Sequence, residues 1–242
     1  GVVAALEEML TVARALQTPL EISHLKAIGR VNCRAAVPQM LAMMESARED
    51  GVDVACDVYP YTAGSTQLIH VLPPECQTGG LEQLSERLGD AAFRAQLRER
   101  MQTGEDFENI SLLAGWENIR IAALAGAEDQ KYVGQSIAAL AEKEGKDPFD
   151  ALFDLLAREH CAVTMIDEIA CEDDLEAILR DGHSSIISDS IYPGSGLCHP
   201  RVYGTFVRAI ERYVRERGVL TLEEAVAKMT GLPAGRLGLR TK

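Results

Sequence analysis

Four short stretches of the chain hold residues whose types suit hydrolytic chemistry: Ser23-His24-Leu25-Lys26, Asp57-Val58-Tyr59-Pro60-Tyr61, Ser188-Asp189-Ser190 and His199-Pro200-Arg201-Val202-Tyr203. A neutral imidazole is a good zinc ligand. A carboxylate can take a proton from metal-bound water and return it to a leaving group. An arginine fork matches a carboxylate bidentately. Taken singly, each has a structural reading: a strand-end histidine that hydrogen-bonds, an aspartate that caps a turn, a surface arginine at the start of a helix. Taken together they suit a metal site or an acid/base pair, with His24 as ligand, Asp189 as carboxylate and Arg201 as anion clamp.

The elements that must position these residues can be read from periodicity. Residues 2 to 16 place Val2, Leu6, Met9, Leu10, Ala13 and Leu16 on one helical face. A strand is expected at about 19 to 25, and a helix at about 35 to 49 with Pro38 near its first turn. "VDVACDV" reads as the next strand, and residues 80 to 103 as charged helix. "NIRIAAL", at 118 to 124, reads as a short strand. "QSIAALAEKEGKDPFDALFDLLARE" gives two helices, split by Gly145 and by Asp147-Pro148, an N-cap followed by a first-position proline. The strand "CAVTMID", the helix "CEDDLEAILRDG" and the strand "SSIISDS" follow. Helices near 203 to 217 and 221 to 230 close the chain, the second opened by a Thr221–Glu224 capping box.

Strands thus alternate with helices, and most strands are nearly continuous apolar runs. That pattern predicts a parallel sheet covered by helices. Sites in such folds gather at the C-terminal ends of the strands, where His24, Asp57, Tyr59 and Asp189 fall. A Gly194-Ser195-Gly196 loop beyond the last strand is placed to fold over them. His70, His160 and His183 lie elsewhere and read as structural.

Composition narrows the function classes. The chain has 242 residues, 47% of them hydrophobic, enough for one large core. A net charge of -13 argues against nucleic acid, since phosphate binding needs clustered cations. No apolar run reaches the roughly 18 residues of a membrane span, and no signal peptide is visible. The six cysteines form no CxxC pair and are expected to be reduced thiols in a cytoplasmic protein. No nucleotide-binding glycine motif occurs.

"ISHLKA", "DVYPYTAGST", "GKDPFDALFDLL", "CEDDLEAILR", "SIISDS" and "HPRVYGTF" follow one another in the order found in N-acyl-D-amino-acid deacylases. The chain resembles these D-aminoacylases, members of the amidohydrolase superfamily, from about residue 18 to 238. The resemblance implies an α/β chain with the (β/α)8 TIM-barrel amidohydrolase fold. Only its second half, about strands five to eight, is expected here. A mostly helical insertion is expected at about 75 to 160, and the family's small β-sandwich is missing. It also implies zinc-dependent hydrolysis of N-acyl-D-amino acids to a carboxylate and a free D-amino acid. In that scheme His24 binds zinc, Asp189 activates the water and then protonates the leaving amine, and Arg201 grips the α-carboxylate. Tyr59, Ser65, Tyr203 and Lys26 are the further substrate contacts.

Several departures qualify this. Tyr59 stands where some members have a metal-binding histidine, so one zinc is expected and a second divalent ion is left open. Ser190 stands where the family has glycine. The His-x-His motif of the first barrel strand is absent, and the family's cysteine ligand would lie upstream. The chain is therefore expected to be a piece of a longer protein, completed by an N-terminal half or associating with further copies. Its partner would be a small N-acyl amino acid, with no nucleic acid or membrane. Two other readings stand: a cyclic-amide hydrolase of the dihydroorotase or hydantoinase kind, which would need a second strand-end histidine and a carboxylated lysine, and a non-catalytic fragment.

Overall fold

The computed structural model describes residues 1–104, 107–192, 194 and 196–239. Ser195, in the expected glycine loop, lies outside the described residues. In chain order the regular elements are α1 (Val2–Leu16), β1 (Leu20–Ile22), α2 (Ala36–Glu49), β2 (Val54–Val58), β3 (Ala63–Gln67), α3 (Leu81–Arg87), α4 (Ala91–Thr103), α5 (Ile110–Ala114) and β4 (Ile119–Ala123). There follow α6 (Ile137–Glu144), α7 (Pro148–Arg158), β5 (Thr164–Glu168), α8 (Glu172–Arg180), β6 (Ser184–Ile186), α9 (Arg201–Arg208), α10 (Leu222–Met229) and α11 (Gly231–Arg236). A π-helical stretch, Ala209–Glu216, continues α9. No helix among the described residues is long and apolar enough to cross a membrane.

The chain divides into two compact units. The first comprises Gly1–Thr62, Ala170–Ser190 and Pro200–Lys242. Its sheet has the order β1-β2-β6, with both pairings parallel: Ile22 lies beside Cys56, and Val58 beside Ile186. β2, in the middle, buries Val54, Ala55, Cys56 and Val58, as a parallel strand covered on both faces must. Helices α1, α2 and α8 supply Leu6, Leu10, Met40, Met44, Leu175 and Leu179 to the same core.

Glu224 and Thr221 form the expected capping box at the start of α10. The Thr221 hydroxyl accepts from Glu224 N at 3.1 Å, and the Glu224 carboxylate accepts from Thr221 N at 2.7 Å. Two of the helix's four orphan N–H groups are satisfied this way. Thr221→Ala is expected to lower stability by about 1 kcal/mol. Chemical denaturation checks this, and an unchanged midpoint would refute it.

The second unit comprises Ala63–Ile169 and Ile191–His199. Here the structure corrects the sequence reading. The strands expected at 118–124 and 161–167 do not join the parallel sheet. They become β4 and β5 of a separate antiparallel sheet of order β3-β5-β4. The physical sign is in β4, where Arg120 is exposed between buried Ile119 and Ile121. An exposed arginine inside the strand marks a sheet that meets solvent on part of one face. Ser65, expected to contact substrate, lies with Gly64 and Thr66 in β3, whose partner β5 is about a hundred residues on. The Asp147-Pro148 signal holds: the Asp147 carboxylate accepts from Phe149 N and Asp150 N at the start of α7.

The expectation of reduced thiols also fails at one pair. Cys33 and Cys171 form a disulfide across 138 residues of sequence. Folding brings the loop after β1 to the N-terminus of α8, a proximity that the cysteine spacing could not reveal. Cys56, Cys76 and Cys161 are free and buried, and Cys198 is free and half-buried.

Candidate active site

In the first unit the C-terminal ends of the parallel strands carry a compact polar group. β1 ends at Ile22, and two residues later His24 takes a left-handed conformation, φ 41°. The cause is Asp57 on β2. Its carboxylate accepts the His24 backbone N–H and, at 3.4 Å, the Ser23 hydroxyl. Leu25 N then donates to Asp57 O at 2.9 Å. One acidic residue therefore bends the chain after β1 and fixes the backbone that carries His24 at the sheet end. Burial pushes the Asp57 carboxyl above the ordinary aspartate range. The His24 N–H, the imidazole and Ser23 oppose that rise, and the charge of Asp189 adds to it.

Asp189 lies three residues past β6 and is also left-handed, φ 47°. Non-glycine residues pay for this conformation, though aspartate and histidine tolerate it better than most. The sheet order puts β2 between β1 and β6, so His24 and Asp189 flank Asp57 and Tyr59.

Asp189 Oδ2 lies 2.9 Å from Arg201 Nη1. Arg201 opens α9 and is 2% exposed. Its guanidinium stacks over the Tyr59 ring at 4.7 Å, and Lys26 Nζ lies 5.4 Å from the same ring centre. Lys26 Nζ also lies 3.0 Å from His24 Nδ1. Gly204, one turn along α9, has a packing reason: a Cβ there would stand 2.7 Å from Tyr61 Oη. Arg208 Nε donates to Pro60 O at 2.7 Å and fixes the turn after β2.

Five of the seven expected site residues, His24, Lys26, Tyr59, Asp189 and Arg201, thus share this unit and this sheet end. Tyr203 is in the same unit but points outward, 76% exposed, because α9 turns Arg201 and Thr205 inward. Ser65 belongs to the second unit, where its hydroxyl donates to Met165 O at 3.0 Å. Two residues that sequence reasoning did not assign emerge here. Asp57, placed at the strand end by the sequence but given no role there, fixes the backbone of His24. Asp174, on α8, lines a small cavity with His24, Lys26, Tyr59, Tyr61 and Ala170; no sequence signal marked it. That cavity measures about 10 Å³, room for a single water.

His24 offers nitrogen and Asp57 and Asp189 offer oxygen, a donor chemistry that zinc accepts. Nevertheless the only close trio of histidine, cysteine and carboxylate ligands among the described residues is Cys33, Cys171 and Asp174. The strand-end donors of this chain do not by themselves form a three-ligand site.

A cleft of about 470 Å³ in the second unit is lined by Arg94, Arg98, Lys146, Asp150 and Asp154. Its cations are paired with its own acids: Arg94 with Asp154 at 2.6 Å, Arg98 with Asp150 at 2.9 Å and Lys146 with Asp154 at 2.7 Å. It is a salt-bridged groove and has the wrong chemistry for hydrolysis.

The end of the parallel sheet thus gathers a histidine, two aspartates and, from α9, a buried arginine. Comparison with known proteins gives the particular relatives. The chain is 32% identical over 241 residues to a D-aminoacylase of Alcaligenes xylosoxydans xylosoxydans, covering 98% of this chain and 39% of that protein. It is also 32% identical to an N-acyl-D-glutamate deacylase of the same organism, over 99% of this chain and 39% of the relative. Among solved structures it resembles the N-acyl-D-glutamate deacylase of Bordetella bronchiseptica, complexed with zinc and a phosphonate that mimics the tetrahedral intermediate. The TM-score is 0.73 at 30% identity, over 98% of this chain and 40% of that one. A D-aminoacylase described as defining a novel subset of amidohydrolases matches with a TM-score of 0.71 at 29% identity, over 98% and 40% of the two chains. No protein-family model matches. The chain therefore spans about 39% of the length of the curated relatives it matches.

Proposed function

We propose that residues 1–242 are part of a zinc-dependent N-acyl-D-amino-acid deacylase, which hydrolyses the amide to a carboxylate and a free D-amino acid. The observation that carries this reading is the pair of left-handed, non-glycine residues, His24 and Asp189, flanking Asp57 at the C-terminal end of the parallel sheet. Strained backbone held by specific partners at a sheet end is where α/β folds keep their chemistry. The relatives, a D-aminoacylase and an N-acyl-D-glutamate deacylase, suggest the reaction and favour open-chain substrates over cyclic amides.

In this reading the sheet is the second half of a (β/α)8 barrel, and sequence beyond these residues supplies the rest of the barrel and of the ligand set. The coverage of the relatives, about 39%, supports that. His24 would contribute one nitrogen to the zinc. Bound zinc would lower the pKa of a water and polarise the scissile carbonyl. Asp189 would accept the proton from that water at Oδ2 and carry it to the departing amine. Arg201 would bind the α-carboxylate of the substrate, which exchanges with Asp189 on the guanidinium. Lys26 and Tyr59 flank the same cation and would border the substrate. Asp57 acts through His24 and is a positioning residue.

The experiment is an amine-release assay on the complete, zinc-loaded enzyme with a panel of N-acyl-D- and N-acyl-L-amino acids. Activity on D-substrates is expected. His24→Asn, which keeps a residue tolerant of left-handed backbone, is expected to lower kcat/KM at least a hundredfold and reduce bound zinc. A zinc-loaded complete enzyme that releases amine from no N-acyl-D-amino acid would overturn the reading.

A further inference from the structure

Cys33 ends the short 3-10 turn Arg30–Asn32 in the loop after β1, and Cys171 is the N-cap of α8. Both are half-buried, within reach of a small reagent. Asp174, one turn into α8, is 3% exposed. Its Oδ1 accepts from Arg34 N at 2.9 Å, whereas its Oδ2 finds no hydrogen-bond partner among the described residues. One ligand atom from each of Cys33, Cys171 and Asp174 can be chosen so that all lie within 4.8 Å of one another.

A buried carboxylate oxygen with no donor is costly, and a disulfide has no hydrogen to offer it. Two thiols or a cation would meet that need. Burial raises the Asp174 carboxyl above the ordinary range and the charge of Asp173 adds to the rise, against the Arg34 N–H and the Arg34 charge. Glu172 and Asp173 add negative charge in the same first turn of α8. Two thiolates and a carboxylate form a three-ligand set with one open position, and sulfur selects zinc-like ions over magnesium or calcium.

We propose that Cys33, Cys171 and Asp174 form a redox-gated site for a thiophilic divalent metal, closed in the disulfide form described above; Asp174 also lines the small cavity beside His24, whereas neither cysteine does. A dithiol opens it: the Cys33–Cys171 bond accepts two electrons and two protons, and the dithiol becomes a disulfide. The metal ion then displaces both thiol protons to solvent and binds the two thiolates and the Asp174 carboxylate. Re-oxidation by a disulfide of higher potential expels it. The inference does not depend on the deacylase reading, because neither His24 nor Asp189 takes part.

The test uses the full 242-residue chain, oxidised or reduced with dithiothreitol and desalted under nitrogen, titrated with cobalt(II). The reduced chain should show a thiolate-to-cobalt charge-transfer band saturating near one equivalent and bleached by zinc; the oxidised chain should show none. The band should vanish in Cys33→Ser and Cys171→Ser, weaken at least tenfold in affinity in Asp174→Asn, and persist in His24→Asn. Should the serine variants fold poorly, alkylation mapped by mass spectrometry on the wild-type reduced chain decides. Zinc should protect Cys33 and Cys171 while Cys198 stays reactive. No band in the reduced chain, a band that survives the double serine variant, or equal alkylation with and without zinc would overturn the proposal.

Discussion

Asp189→Asn in the complete enzyme is expected to lower kcat roughly a hundred- to ten-thousand-fold, the range for losing a general acid/base, and to leave KM within a few-fold. Asparagine is the informative choice because it tolerates the left-handed backbone that Asp189 occupies, φ 47°, so the change removes the proposed proton carrier without adding strain. It should also lower stability by about 1–3 kcal/mol, since the buried Arg201 guanidinium exchanges an ionised partner at 2.9 Å for an amide oxygen. Arg201→Met gives the opposite kinetic split. A charge-assisted hydrogen bond to the substrate carboxylate is worth about 1.5–3 kcal/mol, so KM should rise about ten- to a hundredfold. Steady-state kinetics on the two variants checks both halves. If Asp189→Asn kept kcat within tenfold of the wild type, Asp189 would not be the proton carrier, and its role would reduce to neutralising Arg201.

The features legible in the sequence were those written in local chemistry. The Asp147-Pro148 cap and the Thr221–Glu224 capping box are side-chain to backbone bonds within three residues, and both stand in the structure. β2 and β6 are short, mostly buried runs, β1 buries only Ile22, and the strand-end rule carried His24, Asp57 and Asp189 to one end of one sheet. What stayed hidden was non-local. β3 is built from Ala63, Gly64, Ser65, Thr66 and Gln67, a composition that reads as loop and becomes strand only because β5 pairs with it. The Cys33–Cys171 bond spans 138 residues. The left-handed turn at His24 has no glycine to announce it, because Asp57, 33 residues away, holds it in place. Tyr203 looked like a site residue by its nearness to Arg201, yet α9 starts at Arg201 and helical geometry sends the two side chains in different directions.

The first unit is expected to lose stability steadily as the pH rises above about 9, because its core holds two acids that stay protonated only when folded. Cys56, 0% exposed at the centre of β2, has its thiol pushed up to about 12 from an ordinary 9.0, chiefly by burial and then by the charge of Asp181. The Tyr213 hydroxyl is likewise driven well above its ordinary 10.0 by burial and by Glu172. The unfolded chain releases both protons near the ordinary values, whereas the folded chain keeps them. Above about 9 the unfolded state therefore binds fewer protons, and stability falls with pH. The stabilisation is fully present below 9.0 and is lost between there and about 12, on the order of a few kcal/mol for Cys56. Lys228 works the other way. Buried against Ser184, it has its ammonium pushed below the ordinary 10.5, so it adds a little stability as the pH climbs toward that value. Two groups outweigh one, and the net slope is downward. Urea denaturation from pH 8 to 11 should show a falling midpoint, with a shallower fall in Cys56→Ala and in Tyr213→Phe and the shallowest in the double variant. The void that Cys56→Ala leaves costs about 1 kcal/mol at every pH and lowers the whole curve, so the shallower slope comes from the lost thiol alone. A double variant that loses stability with pH as steeply as the wild type would show that the alkaline weakness lies outside this core.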